Sequence, residues 1–193
     1  MQRIIEIVPY DARWPEEFRQ IGNSLRAALG ETAVRIDHVG STSVAGLAAK
    51  DIIDVQVTVH ELDGPAIASL LAPLGYTLRD DITGDHVPPG NESDPAEWRK
   101  LYFSLPETQR PMHLHVRQAG CANQRYPLIF RDYLRASPAA LGAYQQVKVA
   151  LARLHPHDAD AYYDIKDLVC DLIIDAAERW ARETDYAVGA SDA

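Results

Sequence analysis

Two short runs of alternating apolar and polar residues flank a Gly/Ser-rich break in the first third of the chain. Val34 and Ile36 alternate before the break. Ile53, Val55, Val57 and Val59 alternate after it, as the buried face of a strand does. Asp54, Gln56 and Thr58 therefore share the opposite face. The pattern predicts a strand over 33–39, a turn at Gly40-Ser41, a short helical segment ending at Lys50, and a second strand.

The flanking chain follows the same reasoning. Ile4, Ile5, Ile7 and Val8 predict a short edge strand ended by Pro9. Pro15 suits a helix's first turn, and Phe18, Ile21, Leu25 and Leu29 recur at helical spacing up to Gly30. A helix over 66–74 and a strand over 76–78 come next. The stretch 80–97 breaks every period with Gly84, Pro88, Pro89, Gly90 and Pro95, and reads as a long surface loop. Strands over 100–105 and 112–116 form a hairpin. Helices are expected over 127–135 and 138–154, the latter capped by Ser137. A last helix begins near Asp158 or Asp160, with Ile165, Leu168, Val169, Leu172, Ile173 and Ala176 as its apolar stripe. The whole reads as one α+β domain over 1–184, a mixed sheet backed by helices with a helical C-terminal half, and a loose tail over 185–193.

Composition narrows the function classes. The chain has 193 residues, 47% hydrophobic and 24% charged, which suits one globular domain. A net charge of −9 argues against non-specific nucleic-acid binding, which needs a basic surface. Cys121 and Cys170 have no metal or redox spacing. The first residues, MQRIIEIVPY, hold no signal-peptide core, and no apolar run reaches membrane-spanning length. A cytoplasmic protein without membrane attachment is expected. The oligomeric state is left open.

The candidate chemistry centres on the break. Gly40 allows a sharp turn and close approach of a ligand to the backbone. Its N–H groups, with the hydroxyls of Ser41, Thr42 and Ser43, suit phosphate. Asp54 is the candidate ligand for a divalent cation, since Mg²⁺ takes carboxylate and phosphate oxygens. His113 and His115 share a strand face, so they can join Asp54 on a metal, one can act as acid–base, or both can be hydrogen-bonded strand residues. Lys50 can neutralise a triphosphate. Arg131 and Arg135, one helical turn apart, can clamp phosphate or pair with Asp132. Arg99 and Lys100 sit where the long loop meets the hairpin and can contact a bound anion when the loop closes, and Lys166 is expected to face the cleft.

One string extends this reading. HVGSTSVAGLAAKDIIDV resembles the hallmark HVGSTSVPGLAAKPIIDI of the GrpB-like family, with Ala45 and Asp51 in place of the prolines. WPEEF, HLHV, FRDYLR and YYDIKDL carry the resemblance along nearly the whole chain. That family is similar to the nucleotidyltransferase superfamily, where a Gly-Ser turn precedes a strand bearing Asp-x-Asp/Glu. The resemblance implies a nucleotidyltransferase-like, largely antiparallel sheet with helices on one face. It also implies Mg²⁺ or Mn²⁺ with a nucleoside triphosphate, and nucleotidyl transfer to an unknown acceptor, with Asp54 and His115 as catalytic residues. Gln56 occupies the place of the second carboxylate and is a weaker Mg²⁺ ligand. One histidine would replace the third carboxylate. A similar module is fused to dephospho-CoA kinase in some actinobacteria, which implies a link to CoA biosynthesis. Two other readings stand beside this one: a non-catalytic module that binds a nucleotide or CoA precursor or assists folding, and a His/Asp metal-dependent hydrolase.

Overall fold

A computed structural model describes residues 4–91 and 94–193. Five strands form one sheet: β1 (Arg35–Val39), β2 (Ile53–Val59), β3 (Thr77–Leu78), β4 (Lys100–Ser104) and β5 (Met112–Gln118). Their spatial order is β1-β2-β5-β4-β3. Only β2 and β5 pair in parallel; the other neighbours are antiparallel. The hairpin expected over 100–116 is the β4–β5 pair.

Period-two alternation sorts the sheet into two faces. Ile53, Val55, Val57, Leu114 and Val116 join one core with Trp14, Phe18 and Leu25 of α1 (Trp14–Leu29) and Ile67 and Leu71 of α2 (Gly64–Leu71). The other face carries Asp54, Gln56, His113, His115 and Arg117, and the C-terminal helices α3 (Ala122–Ala136), α4 (Pro138–Leu154) and α5 (Ala159–Glu183) close over it. Among the described residues no helix is long and apolar enough to cross a membrane.

Several elements depart from the sequence expectation. The segment before Lys50 is not helical: Gly46 takes φ +81°, and Ala49 pairs with Val8 in an isolated bridge, which is all that forms of the expected N-terminal strand among the described residues. α3 starts at Ala122, five residues before Pro127, because Gly120 turns the chain directly out of β5. α5 is rotated from its expected face. Cys170, Ile174, Ala177 and Ala181 are buried, the two alanines letting α3 approach; Val169 and Ile173 of the expected stripe are partly buried, while Leu168 and Leu172 are 61% and 75% exposed.

The C-terminal tail and the long surface loop both make contacts with the sheet. The chain end lies along the open edge of β1, with the backbone N–H groups of Asp192 and Ala193 both 3.1 Å from the Ile36 carbonyl. Ser191 accepts the Ile36 N–H, and Arg131 binds the Asp192 carboxylate at 2.7 Å. This covers an edge strand that would otherwise offer unpaired backbone groups. The long loop, of which 92 and 93 lie outside the described residues, is anchored at Asp85. That carboxylate accepts from Arg117, Lys100 and Asn123.

Candidate active site

The parallel pairing of β2 with β5 sets Asp54 opposite His113 and Gln56 opposite His115. His113 Nδ1 hydrogen-bonds Asp54 Oδ1 at 2.9 Å. One ligand atom from each of Asp54, His113 and His115 lies within 4.8 Å of the other two. Burial works to raise the Asp54 carboxyl, but the hydrogen bond from His113 and the nearby positive groups outweigh it, and the net displacement is downward. Burial, reinforced by Arg117 and Lys100, pushes the His115 imidazole well below its ordinary value. It is therefore neutral near pH 7, the form that ligates metal. Its Nδ1 is buried and has no partner among the described residues. Two imidazoles and an ionised carboxylate, one with an unengaged nitrogen, fit a divalent ion.

The Gly40 turn comes up against this cluster. Gly40 has φ +69°, and a Cβ there would sit 2.9 Å from Asp54 Cβ and closer still to its carboxylate. Only glycine lets the turn touch the acid. The next residues form a 3₁₀ turn, Ser41–Ser43. Ser41 Oγ accepts from Lys148 Nζ at 2.9 Å, and the same amine donates to the Ala48 carbonyl at 2.7 Å. Lys148 is 2% exposed, and burial brings its amine down to about 7. An anion at the turn would hold that proton in place. A cavity of about 240 Å³ joins Gly40, Ser41, Asp54, His113, His115 and Lys148, with Lys50 and Lys166 on its wall. Lys50 Nζ donates to the Tyr163 hydroxyl, and Lys166 pairs with Asp167.

The remaining sequence candidates have other partners. Gln56 is fully buried; its Oε1 accepts from Arg117 and its Nε2 donates to the Gln124 carbonyl, so both ends of the amide have partners within the fold. Thr42 lines the cavity, but its hydroxyl is engaged by His38 and the Ile52 carbonyl. Ser43 Oγ donates to the Gly40 carbonyl. Lys100 is bound to Asp85. Arg99 is exposed and pairs with Gly84 through an isolated bridge, away from the cavity lining. Both arginines pair with Asp132, one of the two roles expected of them; Arg131 is also buried against the His38 carbonyl and Asp192, and Arg135 reaches the Ser43 carbonyl. Both arginines hold the turn and the tail rather than face the cavity.

Lys148 does not stand out by motif, although its sequence carries a signal. Tyr144, Lys148, Leu151 and Ala152 form the buried stripe of α4, and a lone lysine in such a stripe needs a polar reason.

Residues 4–176 match the family model described as GrpB protein. The chain belongs to the GrpB family. It is 37% identical to a dephospho-CoA kinase of Mycolicibacterium paratuberculosis, covering 84% of this chain and 43% of that protein. It is 31% identical to the UPF0157 protein YqkA of Bacillus subtilis, over 97% of this chain and 51% of YqkA. It thus spans about half the length of these relatives. The crystal structure of the conserved protein GrpB from Enterococcus faecalis is similar at a TM-score of 0.74 and 29% identity, covering 91% of this chain and 99% of that one. The α+β fold with a mixed, mostly antiparallel sheet is therefore shared with that GrpB structure.

The GrpB turn also depends on His38. This residue is buried, stacks on Phe18 at 4.7 Å between ring centroids, and its Nε2 contacts Thr42 Oγ1 at 3.0 Å. Burial holds its imidazole down to about 4 from 6.5. The unfolded chain therefore takes up this proton first. Stability is expected to fall as pH drops from about 6.5 to 4, by on the order of 3 kcal/mol, and to level off for this group below that. Urea denaturation across this range should show the slope in wild type, and His38→Gln should flatten it.

Proposed function

We propose that this GrpB-family protein binds a nucleoside triphosphate with a divalent metal and transfers the nucleotidyl group to a separate acceptor. The observation that supports this best is the convergence of Asp54, His113 and His115 beside the Gly40-Ser41 turn. These three side chains would hold the ion. The donor set favours Mn²⁺ or another transition ion over Mg²⁺, which prefers oxygen throughout. The ion would supply Lewis acidity to a phosphate oxygen. The chain's own groups do the rest: backbone N–H groups of the turn, the Ser41 hydroxyl, Lys148 and Lys50 hold and neutralise phosphate oxygens.

A second reading, a non-catalytic module for a nucleotide or CoA precursor, is favoured by Gln56. It stands where the nucleotidyltransferase pattern has its second carboxylate, and its amide is engaged by Arg117 and Gln124. The relatives named dephospho-CoA kinase support a place for such a module near CoA biosynthesis.

Thermal unfolding with nucleotides, with and without Mn²⁺ or Mg²⁺, tests the binding. A triphosphate at a hundred times its Kd should raise Tm by about 5–10 °C, and only with metal. Pyrophosphate release on adding candidate acceptors supports transfer; orthophosphate release points to hydrolysis; binding without turnover supports the second reading. Absence of any metal-dependent stabilisation overturns the metal-nucleotide proposal.

A further inference from the structure

A second cavity of about 200 Å³ adjoins the first and shares Gly40 and Lys166 with it. Its chemistry is different. Trp98, Tyr126 and Phe130 line it. The Tyr126 ring lies nearly parallel to Phe130, with centroids 6.1 Å apart, and meets Trp98 edge-on at 6.2 Å. Charged groups that line it have partners within the fold: Arg117 is held by Asp85 and Gln56, and Lys166 by Asp167.

One polar group there is unmatched. Asn123 lines the cavity and is 1% exposed. Its Nδ2 donates to Asp85 Oδ2 at 3.0 Å and to the Arg99 carbonyl at 2.8 Å. Both partners are acceptors, so turning the amide round would set oxygen against oxygen. Oδ1 is thus fixed as the free end, and it is buried with no hydrogen-bond partner among the described residues. Buried polar atoms in native folds are nearly always satisfied, and an orphan acceptor beside a cavity calls for a donor from outside the chain.

We infer that this second cavity binds a flat heteroaromatic ring with an N–H group, a nucleobase, which packs against Tyr126 and donates to Asn123 Oδ1. The inference rests on the nucleotide reading of the adjoining cavity and adds a ring subsite to it. Aromatic side chains accept the faces of all bases, so the acceptor is the element that selects. The ring belongs either to the nucleotide whose phosphates lie at Ser41 or to the acceptor molecule, and the recognition chemistry is the same for both.

Calorimetric titration of the full chain with Mn²⁺ tests it, using tripolyphosphate, ATP, UTP, adenosine and uridine as probes. Tyr126→Ala should weaken the tighter-binding nucleoside about tenfold and leave tripolyphosphate unchanged. Analogues test the acceptor on wild type, independently of any variant's folding. Purine riboside, which lacks the amino group of adenosine, or N3-methyluridine, which lacks the imide N–H, should bind about tenfold more weakly than its parent. A nucleotide that binds far tighter than tripolyphosphate assigns the ring to the same ligand. A nucleoside that binds equally well beside tripolyphosphate assigns it to a separate acceptor.

The ring site is overturned if nucleosides and nucleotides do not distinguish wild type from Tyr126→Ala, or if the N–H-lacking analogues bind as well as their parents. Tripolyphosphate failing to bind while nucleosides still respond removes the phosphate reading alone. The reverse result removes the ring site alone.

Discussion

Asp54→Asn is expected to fold like wild type and to lose metal-dependent nucleotide binding by more than about a hundredfold. The figure exceeds the 10–100-fold typical of residues that merely support a metal ligand, because here the ligand's charge itself is removed. Asparagine keeps the size and one oxygen of the side chain, so the close contact with Gly40 is preserved. It also keeps an acceptor for His113, which bonds Asp54 Oδ1 in wild type. The carboxyl of Asp54 is displaced downward in the fold, so its ionised form adds stability above the ordinary carboxylate value, lost as pH falls. The variant should therefore be slightly less stable than wild type near neutrality and less sensitive to acid. Titration with a triphosphate in Mn²⁺ and in EDTA separates the outcomes. Equal affinity of wild type in both, with no change in Asp54→Asn, would remove the metal from the mechanism.

Asp85→Ala should be the most damaging single change to stability, costing about 3–5 kcal/mol, because it strands two buried cations. Asp85 takes Arg117 Nε at 2.8 Å, Arg117 Nη2 at 2.9 Å and Lys100 Nζ at 2.6 Å. Arg117 is 6% and Lys100 9% exposed at the side chain, so water cannot replace the lost carboxylate. Burial acts to raise the Asp85 carboxyl, yet Arg117 and Lys100 hold it far below the usual range. Its contribution is thus complete above about pH 4 and fades as pH falls further. For a chain of this length the loss corresponds to a Tm drop of about 10 °C. Asp85→Asn, which retains a hydrogen-bond acceptor, should lose less. A Tm unchanged in Asp85→Ala would mean that the cluster contributes nothing net and that the loop is held by other contacts.

The strand faces are legible in the residue pattern alone. Alternation is a local property, two residues per repeat, so the positions of Asp54, His113 and His115 on one face follow from their own neighbours in sequence. The Gly-Ser turn is legible for the same reason: only a residue without Cβ permits its backbone. The α+β class follows from the order of these local patterns.

What sequence could not carry was partnership across distance. Gln56 shares the strand face with Asp54, yet Arg117, 61 positions away, draws it into the Asp85 cluster. The pairing of Arg131 with Asp132 was open to a local reading, but its second partner, Asp192, lies 61 positions away. Lys148 reaches Ser41 only because α4 lies across the turn. The stripe of α5 had more than one possible phase, and close packing through small residues against α3 selected one. Local sequence thus determined the strands, the turn and the carboxylate–histidine face, because steric and hydrophobic periodicities act over a few residues. Tertiary structure alone decided which charges were neutralised within the protein and which faced the cavity, because Coulomb energy and desolvation depend on what packs nearby, whatever its place in the chain.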